Sequence, residues 1–169
     1  MSKARILVAG VGNIFRGDDA FGVEVVRRLA GRDLPDGVRA FDFGTRGHDL
    51  AYAILDGYDV VILVDATTRD GPPGILYTVR PAPGDLAKPA PVGAHAFDLP
   101  GVFAMVRAMG GALPPLYLVG CEPAGLGSDD EGMMGLTEAV AAAVEPAGAR
   151  IAALIEELVA GGVAETGRA

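Results

Sequence analysis

With 169 residues, half of them hydrophobic and 21% charged, the chain has a globular composition and the length for one core burying roughly 70% of its unfolded surface. A net charge of -8 without any Lys/Arg cluster argues against nucleic acid as a partner, and the single cysteine, Cys121, excludes an internal disulfide, a thiolate metal cluster and a CxxC redox motif. Apolar runs stop well short of the roughly 18 residues of a membrane span, so a soluble protein of the reducing cytoplasm is expected.

The basic start and short apolar run of MSKARILVAGVGN pass directly into a glycine turn, which reads as a first strand over Arg5 to Ala9 rather than a signal peptide. Gly17-Asp18-Asp19 introduces a helix through about Ala30, with Val23, Val26 and Leu29 on one face. Val38 to Phe43 follows as a second strand, Gly44 to Gly47 as a turn and Leu50 to Leu55 as a short helix. Val60 to Val64 is wholly apolar, as a parallel strand covered on both faces must be.

Ala66 to Gly74 is too short to carry a crossover helix, so Ile75 to Val79 is expected as an antiparallel edge strand. The Pro/Gly-rich stretch Pro81 to Ala94 has the reach to bring the chain back across the sheet. Helical spacing returns over Phe97 to Met109, Leu116 to Cys121 makes a fifth strand, and Glu122 to Gly135 is a polar, acidic loop. Thr137 is placed to cap a terminal helix running to about Leu158, which Pro146 is expected to kink or split. The pattern predicts a three-layer α/β sandwich with a five-stranded, mostly parallel sheet, one antiparallel edge strand and helices on both faces. Residues 1–160 form a single domain in this reading, and residues 161–169 a flexible tail.

Gly10, Gly12 and Gly17 invite a nucleotide-binding reading, but Gly17 falls two residues beyond the third glycine of the dinucleotide fingerprint, and no GK[ST] is present. Asp18 and Asp19 also stand where a phosphate would sit, and repel one. In the plainest reading Asp18 caps the first helix and Asp19 is a surface charge. Asp65, ending the most apolar strand, falls on the same sheet edge, where it also suits a turn or cap. His95 closes the Pro/Gly loop just before a helix, whereas His48 reads as a cap or surface contact. Converging on one edge, Asp19, Asp65 and His95 would make an open, oxygen-rich metal site suited to catalysis. HExxH and GxSxG signatures are absent, Asp42-Phe43-Gly44 lacks the rest of a kinase signature, and Cys121 reads as buried and inert.

The block GVGNIFRGDDAFGVEVV resembles the opening of the nickel-iron hydrogenase maturation endopeptidases. The resemblance continues in order through DFGTRGHDL, ILVDA, VGAHAFDLPGVFA and LVGCEP, over nearly the whole chain. It implies metal ligands at Asp19, Asp65 and His95, which would also be the catalytic residues. Some relatives carry glutamate at the first position, which leaves Asp18 as a competitor for it. Phe43 stands where the family's turn has a glycine. The implied activity is removal of a C-terminal extension from the hydrogenase large-subunit precursor after nickel insertion, with nickel brought by the precursor. Recognition of nickel, polarisation of the scissile carbonyl and activation of water all stay open as its role. A monomer is expected. The alternatives are a non-catalytic nickel-checkpoint module that binds the precursor and, on the glycine loop alone, a nucleotide-binding protein.

Overall fold

The computed structural model describes residues 3–82, 97–126 and 132–162. Strand β1 (Ile6–Val11) lies inside the sheet between β2 (Val38–Gly44) and β3 (Val60–Ala66), both parallel to it. On the far side of β3 runs β5 (Leu116–Cys121), also parallel, and β4 (Leu76–Val79) pairs antiparallel with β5 at the edge, giving the order β2-β1-β3-β5-β4. The expected antiparallel edge strand is therefore present, and so is the mostly parallel five-stranded sheet.

Helices α1 (Phe21–Ala30) and α4 (Glu138–Ala160) cover one face of the sheet, and α2 (Gly47–Leu55) and α3 (Leu99–Ala108) cover the other. The alternation of side chains along a strand divides the apolar runs between two cores. Ile6, Val8, Val60, Ile62 and Val64 face α1 and α4, while Leu7, Ala9, Val11, Val61 and Leu63 face α2 and α3. Covering both faces explains why β1 and β3 read as continuous apolar runs rather than as alternating ones.

Besides shifts of one or two residues at the ends of several elements, three features depart from the sequence reading. The segment Asp18–Ala20 is a 3-10 turn ahead of α1 rather than part of it. Helix α2 begins at Gly47, so the expected turn contributes its last residue to the helix. Helix α4 continues through Pro146 unsplit. Pro146 is exposed, so the Ala142 carbonyl that loses its helical donor also lies at an exposed position, where water can satisfy it. Of the expected tail only Gly161 and Gly162 are described.

Close backbone packing brings the start of α1 against the ends of two strands. A Cβ added at Gly22 would lie 2.0 Å from the Val64 carbonyl oxygen and 2.6 Å from that of Val11. One added at Gly10 would lie 2.5 Å from the Gly22 carbonyl oxygen. Only glycine permits this approach, and it delivers the 3-10 turn to the C-terminal ends of β1 and β3.

Candidate active site

The adjacent aspartates Asp18 and Asp19 have opposite surroundings. Asp18 is fully buried, and its carboxylate accepts from the N–H groups of Ala124 at 2.8 Å, Gly125 at 3.2 Å and Thr137 at 2.8 Å. The Thr137 hydroxyl, 2.9 and 3.0 Å from the two oxygens, completes the set. Asp18 thus ties the entrance of α4 and the segment after β5 to the β1–α1 loop. It does not cap the helix it precedes, since the 3-10 turn has no side-chain cap. Thr137 stands at the cap position of α4, but makes no cap bond with its own side chain. Its hydroxyl is spent on Asp18.

Asp19 is half-buried and lines a cavity. The Asn13 N–H donates to its carboxylate at 2.8 Å. Gly12, at φ 134°, presses against the same turn: an added Cβ would lie 1.9 Å from the Asp19 carbonyl oxygen. The glycine loop therefore wraps a carboxylate, and the N–H that a phosphate would seek at Asn13 already serves Asp19. Burial pushes the Asp19 carboxyl above the usual range, against the opposing pull of the Asn13 N–H and the Arg16 guanidinium.

Asp65 lies at the C-terminal end of β3 as expected. Burial holds its carboxyl well above the usual carboxylate range, the Asp19 charge pushes it higher, and the Ala66 N–H offsets part of the rise. Asp65 thus feels the Asp19 charge at the sheet edge. A cation between them would relieve that repulsion, and hard oxygen donors of this kind suit a divalent ion. Among the described residues, no group of three or more His, Cys, Asp or Glu could hold a metal. His95 lies outside the described residues, as do residues 83–94 of the Pro/Gly loop.

The cavity beside Asp19 has a volume of about 850 Å³. Gly12, Asn13 and Arg16 from the β1–α1 loop form one wall, and Thr45, Arg46 and the first turn of α2 form the next. The third wall is the N-terminal half of α3. His48 is exposed on the α2 wall, where that helix has no side-chain cap, so it is a cavity residue rather than a cap. A smaller hollow of about 460 Å³ shares Gly12, Asn13, Thr45 and Arg46 with it and adds Phe15, Arg27 and Asp42. Asp42 is held by Arg27 at 3.2 Å, and Arg46 donates to the Phe43 carbonyl at 3.1 Å. Phe43 needs no special backbone: its side chain is buried in the core under α2, and Gly44 takes the left-handed conformation at φ 53°. Nothing in the spacing of Arg16, Thr45, Arg46 and Asp49 marks them as cavity residues, because only the fold brings the β2–α2 turn beside the β1–α1 loop.

Two further polar groups support the edge. Glu122, expected in a solvated loop, is only 3% exposed. Burial raises its carboxyl, but the Tyr77 hydroxyl at 2.8 Å and the backbone N–H groups of Arg69, Asp70 and Gly71 outweigh that and hold it below the usual range. The carboxylate thereby fixes the connection that leaves β3 just after Asp65. Cys121 is buried as expected, and burial, with the charges of Asp18 and Glu122, pushes its thiol up to about 11. Such a thiol is a poor nucleophile at neutral pH.

Comparison with known proteins agrees with this arrangement. A family model for hydrogenase maturation proteases (HycI) matches residues 23–154. The hydrogenase 2 maturation protease of Escherichia coli is 35% identical over 90% of this chain and 92% of its own length. The hydrogenase expression/formation protein HupD of Rhodobacter capsulatus is 36% identical over 96% of this chain and 75% of its own. Among solved structures, the hydrogenase maturating endopeptidase HybD from E. coli superposes with a TM-score of 0.75 at 35% identity, covering 90% of this chain and 93% of that one. The maturation protease HycI from Thermococcus kodakarensis gives a TM-score of 0.67 at 28% identity, covering 94% of each. With the same fold, end-to-end sequence similarity and an acidic pair beside a cavity at the sheet edge, this chain belongs to the hydrogenase maturation protease family and is a peptidase.

Proposed function

We propose that the chain is the endopeptidase that removes the C-terminal extension of a nickel-iron hydrogenase large-subunit precursor after nickel has been inserted, acting in the cytoplasm as a monomer. The observation that carries this reading is Asp19 lining a cavity large enough for several residues of peptide, with Asp65 close enough to feel its charge. Asp19, Asp65 and His95 receive nickel carried in by the precursor, so the ion is part of the substrate rather than a resident cofactor. Held there, it supplies Lewis acidity and positive charge beside the peptide bond to be cut.

The chain's own residues bind and orient. Asp19 is steadied by the Asn13 N–H, and Asp65 is fixed at the end of a core strand. Burial favours the protonated form of Asp65, and a cation held there would favour its carboxylate instead. Water is the attacking group, since the thiol of Cys121 is buried and protonated.

Purified protein incubated with nickel-loaded precursor should release a C-terminal peptide, and nickel-free precursor should stay intact. Asp65→Asn and His95→Ala should abolish release while remaining folded. Lack of cleavage under conditions in which the E. coli protease cuts its own precursor would overturn the proposal.

A further inference from the structure

The walls of the main cavity differ in character. Asp19 and Arg46 stand on the loop and α2 sides, whereas α3 contributes Gly101, Val102 and Met105, with Phe97 just ahead of it. Positions 98, 101, 102 and 105 recur at i, i+3, i+4 and i+7, so they form one stripe along the helix. Val102 is 5% exposed and is held from behind by the close approach of α2, where a Cβ on Gly47 would lie 3.1 Å from it. Phe97 and Met105 are half-buried: they pack on the core beneath α2 and α3 and also border the cavity.

At Gly101 the space that a side chain would take is filled by the Asp98 carboxylate, which also lines the cavity. An added Cβ would lie 2.1 Å from the Asp98 carboxylate, which is committed to capping α3 through the Gly101 N–H at 3.0 Å. Beyond the Asp98 carboxylate the wall formed by Phe97, Val102 and Met105 is apolar and largely built on a helix, with a deformable methionine at its border. A wall of this kind favours an apolar side chain over a charged one. In an extended peptide successive side chains point to opposite sides. A peptide whose cut bond lies beside Asp19 can therefore turn one flanking side chain toward α3.

We propose that Phe97, Val102 and Met105 form a specificity subsite that takes an apolar side chain from a residue flanking the peptide bond being cut, with Met105 setting the preference. The inference rests on the reading that the chain processes a hydrogenase precursor. It is tested on nickel-loaded precursor after the cut has been mapped by mass spectrometry of the released peptide. The residues on either side of the cut are then changed singly to Leu, Lys and Asp.

At one of these positions the unmodified protease should prefer Leu over Lys by about 10- to 100-fold in kcat/KM, the scale on which an apolar pocket discriminates. Met105→Glu should erase or invert that ratio, Met105→Leu should keep it, and a thermal melt should show both variants folded. An active protease with no preference at either position, or a Met105→Glu variant with an unchanged ratio, overturns the subsite while leaving the processing function standing. If the unmodified protein cuts none of the precursors, function and subsite fall together.

Discussion

Replacing Asp18 and replacing Asp19 with alanine should give opposite results, although the two residues are neighbours. Asp18→Ala removes the acceptor of three backbone N–H groups and one hydroxyl in a fully buried position. A hydrogen bond to a charged group contributes about 1.5–3 kcal/mol, and a buried donor left alone costs about 1–3 kcal/mol. After allowance for water entering the space and for rotation of the Thr137 hydroxyl, the loss comes to about 4 kcal/mol. For a protein of this size that lowers the melting temperature by about 8–16 °C. Asp18→Asn keeps one acceptor and should lose about half as much.

Asp19→Ala forfeits one bond, from the Asn13 N–H, and relieves a carboxylate that burial disfavours, so its net change should stay within about 1 kcal/mol. Thermal unfolding followed by circular dichroism measures both. Cleavage assayed well below the lower melting point should be lost in Asp19→Ala and retained in Asp18→Ala. Equal melting temperatures would refute the buried-anchor argument. A folded, inactive Asp18→Ala beside an active Asp19→Ala would make Asp18 the functional carboxylate.

Asp65→Asn should stabilise the fold at neutral pH while abolishing cleavage. Its raised native pKa means that the folded state keeps a proton the unfolded chain has released, so stability falls as pH climbs from the unfolded value, near 3.8, toward the native one. Unfolding midpoints measured across that interval should show this slope in the unmodified protein and a shallower one in the variant; parallel curves would contradict it. Gly22→Ala places a methyl group against the Val11 and Val64 carbonyls, and because backbone cannot step aside cheaply, a loss of about 3 kcal/mol or more is expected in a urea titration. Cys121→Ala should cleave at the normal rate. A thiol at about 11 is ionised in roughly one molecule in ten thousand at pH 7, so slow iodoacetamide labelling of the native protein should accompany that result.

Much of the scaffold was legible in the sequence because strand burial and helix amphipathy are written locally. The unbroken apolar runs at β1 and β3 implied helices on both faces, and the short connection between β3 and β4 ruled out a parallel return. Asp65 could be placed at the sheet edge because an apolar parallel strand carries the residues at its C-terminal end there. Pro146 was misleading in part: at an exposed helical position its missing donor leaves a carbonyl within reach of water, so α4 runs on.

The choice between Asp18 and Asp19 was not local. Both follow the same glycine loop, and only the arrival of Ala124, Gly125 and Thr137, more than a hundred residues later, consumes one carboxylate and leaves the other at the cavity. Glu122 misread for the same reason: an acidic residue in a polar stretch looks solvated until Tyr77 and three backbone donors enclose it. By itself the sequence determined the layers, the strand directions and the two carboxylates at issue, because periodicity and connection length act between near neighbours. Which carboxylate anchors, which one faces the cavity and which helix supplies its apolar wall were decided only by tertiary packing, since burial and hydrogen-bond partners come from segments far apart along the chain.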